Sequence, residues 1–138
     1  LRGIVMGLAL LLASSPGRAQ ELRLEDAAAR AREAWMAHNA VALVAESPSL
    51  LVQLPGADPS VALGPDQAAA LLRDFLAQAQ EVECEVRAAR EVEPGRGYVE
   101  LRRSYRIAGT QDVRVQSLLL GYRQGKAGWV LVELRVVG

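Results

Sequence analysis

The chain has 138 residues, enough for one domain with a single sizeable core. Lys+Arg and Asp+Glu balance at 16 each, and aromatic side chains make up only 4% of the sequence. With no basic field and few stacking residues, nucleic acid is excluded as a partner.

The first residues, "LRGIVMGLALLLASSPGRAQ", stand apart from the rest. Arg2 precedes an apolar run from Ile4 to Ala13, and small residues follow up to Ala19. This is the plan of a secretory signal peptide over residues 1–19, cleaved after Ala19, with one domain over 20–138. The run is about ten residues, too short to span a bilayer, so no integral membrane segment is expected after cleavage. Removal of Arg2 and Arg18 leaves 16 − 2 = 14 basic side chains against 16 acidic ones. Cys84 is the sole cysteine, so no intrachain disulfide forms and the fold rests on its core.

In chain order, "LEDAAARAREAWMAHN" predicts a helix with Ala28, Ala31 and Trp35 on its apolar stripe and Glu25 and Asp26 in its first turn. His38-Asn39 predicts its end, because both types tolerate a left-handed cap. "AVALVAE" follows as a short helix. "SLLVQLP" reads as a strand and "PGADPS" as a turn, with "VAL" as a short returning partner. "GPDQAAALLRDFLAQAQ" is a helix: Pro65 pre-sets its first turn, and Ala68, Leu71, Leu72, Phe75 and Leu76 form its stripe. The period then shifts from 3.6 to 2. Four strands, "VECEVRAAREVE", "GYVELRRSYRIA", "DVRVQSLLLGYR" and "GWVLVELRVV", are joined by short Gly-bearing turns that favour antiparallel hairpins.

The expected fold class is α+β: three N-terminal helices with a short hairpin, packed on a curved, mainly antiparallel four-strand meander. This order resembles the nuclear transport factor 2-like superfamily, the cystatin-like cone that includes ketosteroid isomerases and SnoaL-like cyclases. "AWMAHNAVALVAE" resembles its helix-turn-helix, and "LLVQLPGADPSVALGPDQAAALLRDFL" its strand, hairpin and third helix. "VRVQSLLLGYRQGKAGWVLVELRVV" resembles its last two strands. The nearest resemblance is to small exported bacterial members of unknown function. It implies a cone with a cavity at its open end. Ketosteroid isomerases carry their proton-abstracting Asp just before the proline that ends the first strand. Leu54 holds that position here and cannot accept a proton, which disfavours that reaction.

The candidate site residues lie elsewhere. His38 is the sole histidine, and its place in the inter-helix turn, away from the pocket, favours a capping role over general-base catalysis. Cys84 alternates with Val82 and Val86 and reads as a buried small hydrophobe. No Cys/His cluster offers a zinc site, and no cofactor or metal is expected. "YVELRRSYRIA" carries an anomaly: Arg103 shares a face with Val99, Leu101, Tyr105 and Ile107. A buried guanidinium needs a partner. Snorkelling from the sheet end, or pairing with a helix carboxylate such as Glu33 or Asp74, is the favoured reading; the sharper one is a cavity Arg that binds an anion. A cavity beside Arg103 would be lined by Tyr105, Trp35, Leu54 and Phe75, which either fill it or share a ligand.

The last two strands are apolar on both faces. With Val113, Val115, Leu119, Val130, Val132, Leu134 and Val136 assigned inward, Leu118, Leu120, Tyr122 and Leu131 fall on the outer face. An apolar outer face suggests a partner surface, and homodimers through it are common in the superfamily. The sequence thus predicts an exported, non-catalytic binding or interaction domain that forms a homodimer and takes a small apolar or anionic ligand. The alternative is a SnoaL-like lyase or isomerase using Tyr105 and Arg103, against which no inward Asp/His pair is found.

Overall fold

A computed structural model of the protein describes residues 23–138. The expected signal segment, residues 1–19, lies outside the described residues. Helix α1 (Leu24–Met36) has Glu25 and Asp26 in its first turn and buries Leu24, Ala27, Ala28, Ala31 and Trp35. Its end is a Schellman motif. His38 adopts the left-handed conformation at φ 53°. The Asn39 N–H donates to the Ala34 carbonyl at 2.8 Å, and the His38 N–H to that of Trp35 at 2.9 Å. The Asn39 side chain then accepts from the Ala42 N–H at 3.0 Å and opens α2 (Ala40–Val44). The His38-Asn39 turn is as the sequence predicts.

Strand β1 (Leu51–Gln53) follows. The chain returns beside it through one reciprocal pair, Leu50 with Leu63, both N–H···O distances being 2.9 Å. The Ser60 N–H also donates to the Val52 carbonyl at 2.8 Å, so the expected hairpin is present with one ladder bridge. Helix α3 (Pro65–Leu76) opens with the Gly64 N–H donating to the Gln67 side-chain oxygen at 3.2 Å. It buries Ala68, Ala69, Leu72 and Leu76.

Strands β2 (Ala79–Glu93), β3 (Arg96–Ile107), β4 (Val113–Gly125) and β5 (Gly128–Val137) form the predicted antiparallel meander. The sheet order is β1-β5-β4-β3-β2, with β1 parallel to β5, so the sheet is five-stranded and mixed. Its fifth strand is the first arm of the expected hairpin. The helices pack on one face and share with it a single core. Gly97 makes one close approach possible: a Cβ there would meet Leu24 Cδ1 at 2.8 Å and Trp129 Cζ3 at 3.3 Å. Among the described residues, no helix is long and apolar enough to cross a membrane.

The core face of β4 corrects one expectation. Leu118, Leu120, Tyr122 and Leu131, assigned above to an outer dimer face, are buried beneath the helices. Leu118 pairs with Val136 and Leu120 with Leu134, all on the inner side. The two register sets of β4 are both apolar, so alternation could not choose between them. A bulge opposite Gly121 and Tyr122 then skips Val132 and reverses parity along β5. Leu134 and Val136 do face inward as expected. Val113, Val115, Leu119, Val130 and Val132 take the outer face instead.

Candidate functional site

Arg103 lies on the inner face of β3, only 1% exposed. A bulge between Glu81 and Glu83 turns Glu81 onto the same face, where its side chain is 3% exposed. Arg103 Nε donates to Glu81 Oε2 at 3.2 Å, and Nη2 pairs with Glu81 Oε1. Nη1 donates to Gln116 Oε1 at 3.0 Å. Three rings surround the guanidinium: its Cζ lies 4.0 Å from the Tyr105 centroid, 5.1 Å from Trp35 and 5.6 Å from Phe75. Cation–π attraction strengthens where water is excluded, so these rings solvate the charge.

The structure thus gathers Arg103, Tyr105, Trp35 and Phe75 at one point. Leu54 packs half-buried against the core just beyond β1. The partner of Arg103 is a strand carboxylate, Glu81, rather than Glu33 or Asp74 on a helix. His38 is also nearer than its turn position implies: Nε2 lies 3.2 Å from Glu81 Oε1, with the imidazole partly exposed. His38, Glu81, Arg103 and Gln116 form one chain of polar contacts from the surface to the core. The buried ion pair is compensated on both sides, as a low-dielectric interior requires. Two side-chain atoms in the described residues remain buried without a hydrogen bond, Trp35 Nε1 and Asp26 Oδ2.

Cys84 is paired in register with Arg103 and is buried, as expected of a small hydrophobe. Val82, expected beside it, is expelled by the bulge and exposed. Burial pushes the Cys84 thiol up to about 11, helped by the Glu81 carboxylate and opposed by Arg32 and Arg103. Arg32 Nε donates to the Cys84 carbonyl at 2.6 Å and covers the strand there. At pH 8 the native thiol should react with a disulfide reagent at least tenfold more slowly than the urea-unfolded chain, monitored by absorbance. The raised value favours the neutral thiol in the folded state. This contribution to stability is complete below the ordinary value of 9.0 and declines as pH rises towards 11. Equal rates in native and unfolded protein would show an open core.

Two cavities lie away from this cluster. A cleft of about 370 Å³ opens between α1, α2 and β5, lined by Ala31, Tyr122 and Leu131 among others. A groove of about 930 Å³ runs over the outer sheet face, with Leu51, Tyr98, Gly121, Val130 and Val132 in its floor and Arg90, Arg96 and Arg123 at its rim. Neither is lined by Arg103, Tyr105, Trp35, Leu54 or Phe75. Among the described residues, no group of His, Cys, Asp and Glu is placed to hold a metal ion.

No family model matches the sequence, and no curated protein is significantly similar to it. Solved structures do match. A ketosteroid isomerase-like protein from Erwinia carotovora atroseptica SCRI1043 is 16% identical, with a TM-score of 0.66 over 88% of this chain and 95% of that one. A protein of ketosteroid isomerase-like fold from Catenulispora acidiphila DSM 44928, solved with trimethylamine, is 12% identical; its TM-score is 0.64 over 81% and 84% of the two chains. A domain of unknown function with a cystatin-like fold from Nostoc punctiforme PCC 73102 is 17% identical, with a TM-score of 0.63 over 89% and 75%. The chain has the ketosteroid isomerase-like, cystatin-like α+β fold. That is the fold implied by its resemblance to the nuclear transport factor 2-like superfamily. At such identities the similarity establishes fold, and fold alone does not assign an activity.

Proposed function

We propose that the protein is an exported, non-catalytic interaction domain that self-associates through its outer sheet face. The observation that carries this is the internal neutralisation of Arg103. Its guanidinium is occupied by Glu81 and Gln116 and enclosed by Tyr105, Trp35 and Phe75. The cluster acts as a filled polar core rather than a substrate pocket. The outer face, by contrast, exposes Leu51, Val113, Val115 and Val137 around the half-buried Leu119, Val130 and Val132. Several large apolar groups on one sheet face favour a partner, and a second copy meets the requirement of a self-complementary patch. Export rests on the N-terminal pattern.

Native mass spectrometry of the chain expressed in a bacterial host tests this reading. The expected species is a dimer of chains beginning at Gln20. A monomer at high concentration refutes self-association, and retention of the first nineteen residues refutes export by cleavage. The His38–Glu81 contact favours a second reading, a SnoaL-like lyase or isomerase, since an imidazole beside a carboxylate can move a proton. A small molecule retained in the same spectrum, and lost from the His38→Gln variant, would support it.

A further inference from the structure

The cleft between α1, α2 and β5 has methyl-sized walls: Ala27, Ala31, Ala34 and Ala37 from α1, and Ala42 from α2. Tyr122 and Leu131, both buried, close its inner end. Tyr122 is only 6% exposed, and among the described residues its hydroxyl makes no hydrogen bond. Unlike Trp35 Nε1 and Asp26 Oδ2, this hydroxyl is not cut off from solvent, so it can donate to a group bound in the cleft. Burial holds the phenol well above its ordinary value, while the nearby Arg30 guanidinium pulls the other way. Tyr122 is therefore a hydroxyl donor at any ordinary pH.

Arg30, Glu33 and Glu46 all stand at the rim and are exposed. Arg30 is the charged side chain whose field reaches the phenol. Among the described residues it makes no ion pair. The cleft thus offers an O–H donor at its inner end and, beside the carboxylates of Glu33 and Glu46, a cation at its rim to a ligand whose remainder meets alanine methyls. At about 370 Å³ the cleft lies at the small end of the range for small-molecule sites, about 300–1,000 Å³.

We propose that this cleft binds a small apolar carboxylate, its head group accepting from the Tyr122 hydroxyl and the Arg30 guanidinium and its hydrocarbon lying along the alanine walls of α1 and α2. The site is separate from both the Arg103 cluster and the outer sheet face, so it stands or falls independently of the self-association reading.

Titration of the isotopically labelled protein with octanoate, followed by NMR, tests the assignment. Saturable shifts are expected at Ala27, Ala31, Ala34 and Ala42. Tyr122→Phe should weaken binding about tenfold or more, the loss expected for a hydrogen bond to a charged group. Arg30→Gln, an exposed helical substitution, should also weaken it, and the neutral octanol should bind at least tenfold less tightly than octanoate. Absence of saturable shifts at these alanines overturns the proposal. So does equal octanoate binding by both variants, or equal binding of octanol and octanoate.

Discussion

Replacing Glu81 with glutamine is expected to lower the unfolding free energy by about 3–5 kcal/mol, the usual consequence of removing one partner from a buried ion pair. Arg103 is 1% exposed and cannot turn to solvent when its carboxylate is lost. Gln116 and the three rings remain, but none carries a compensating charge. Domains of this size have about 5–15 kcal/mol in all, so the variant should be marginal. Arg103→Met should cost a similar amount, since it leaves Glu81 facing only His38. The double variant Glu81→Gln/Arg103→Met removes both charges and should recover much of the loss. Urea denaturation of the four proteins measures the coupling. If Glu81→Gln costs less than about 1 kcal/mol, the pair behaves as a solvated surface pair. The interior would then be open to water, and Arg103 would again be available to an anionic ligand.

How far this cluster was legible in the sequence depends on strand parity. Arg103 stands out because β3 is regular: Val99, Leu101 and Arg103 share a face with no bulge against β4. Its partner does not stand out, because β2 is irregular. Strict alternation through Cys84 puts Val82 inward and Glu81 outward. The bulge between Glu81 and Glu83 reverses this, so Glu81 pairs with Tyr105 in register and faces inward. A bulge is one extra residue with no strong composition signal in "QEVECE". The same limit explains the misassigned face of β4 and β5, where "SLLLGY" offers apolar side chains at both parities. The helices had no such ambiguity. Their stripes, the Pro65 start and the His38-Asn39 stop each rest on local chemistry that needs no distant partner. His38 shows where locality ends. Its backbone role follows from the left-handed turn, while its contact with Glu81 spans 43 positions of sequence.

Adjacent residues on β4 should respond in opposite ways to the same substitution. Leu120→Glu places a carboxylate on the core face, where Leu120 is 1% exposed and pairs with Leu134. A buried unpaired charge costs several kcal/mol, comparable to the whole stability of the domain. This variant should be unfolded or insoluble. Leu119→Glu places the same group on the outer face, opposite Glu100 on β3 and Arg135 on β5. One neighbour repels it and the other attracts it, so the cross-strand cost should nearly cancel. Its thermal midpoint should stay within a few degrees of the parent, a shift of about 1 kcal/mol or less. In a dimer formed through this face, however, the carboxylate would be desolvated against its symmetry mate. Light scattering should then report a monomer. A folded, dimeric Leu119→Glu would move the interface off this face. A folded Leu120→Glu beside an unfolded Leu119→Glu would reverse the assignment of the two faces. Because one methylene-rich strand supplies both surfaces, this pair separates the residues that hold the cone together from those that meet a partner.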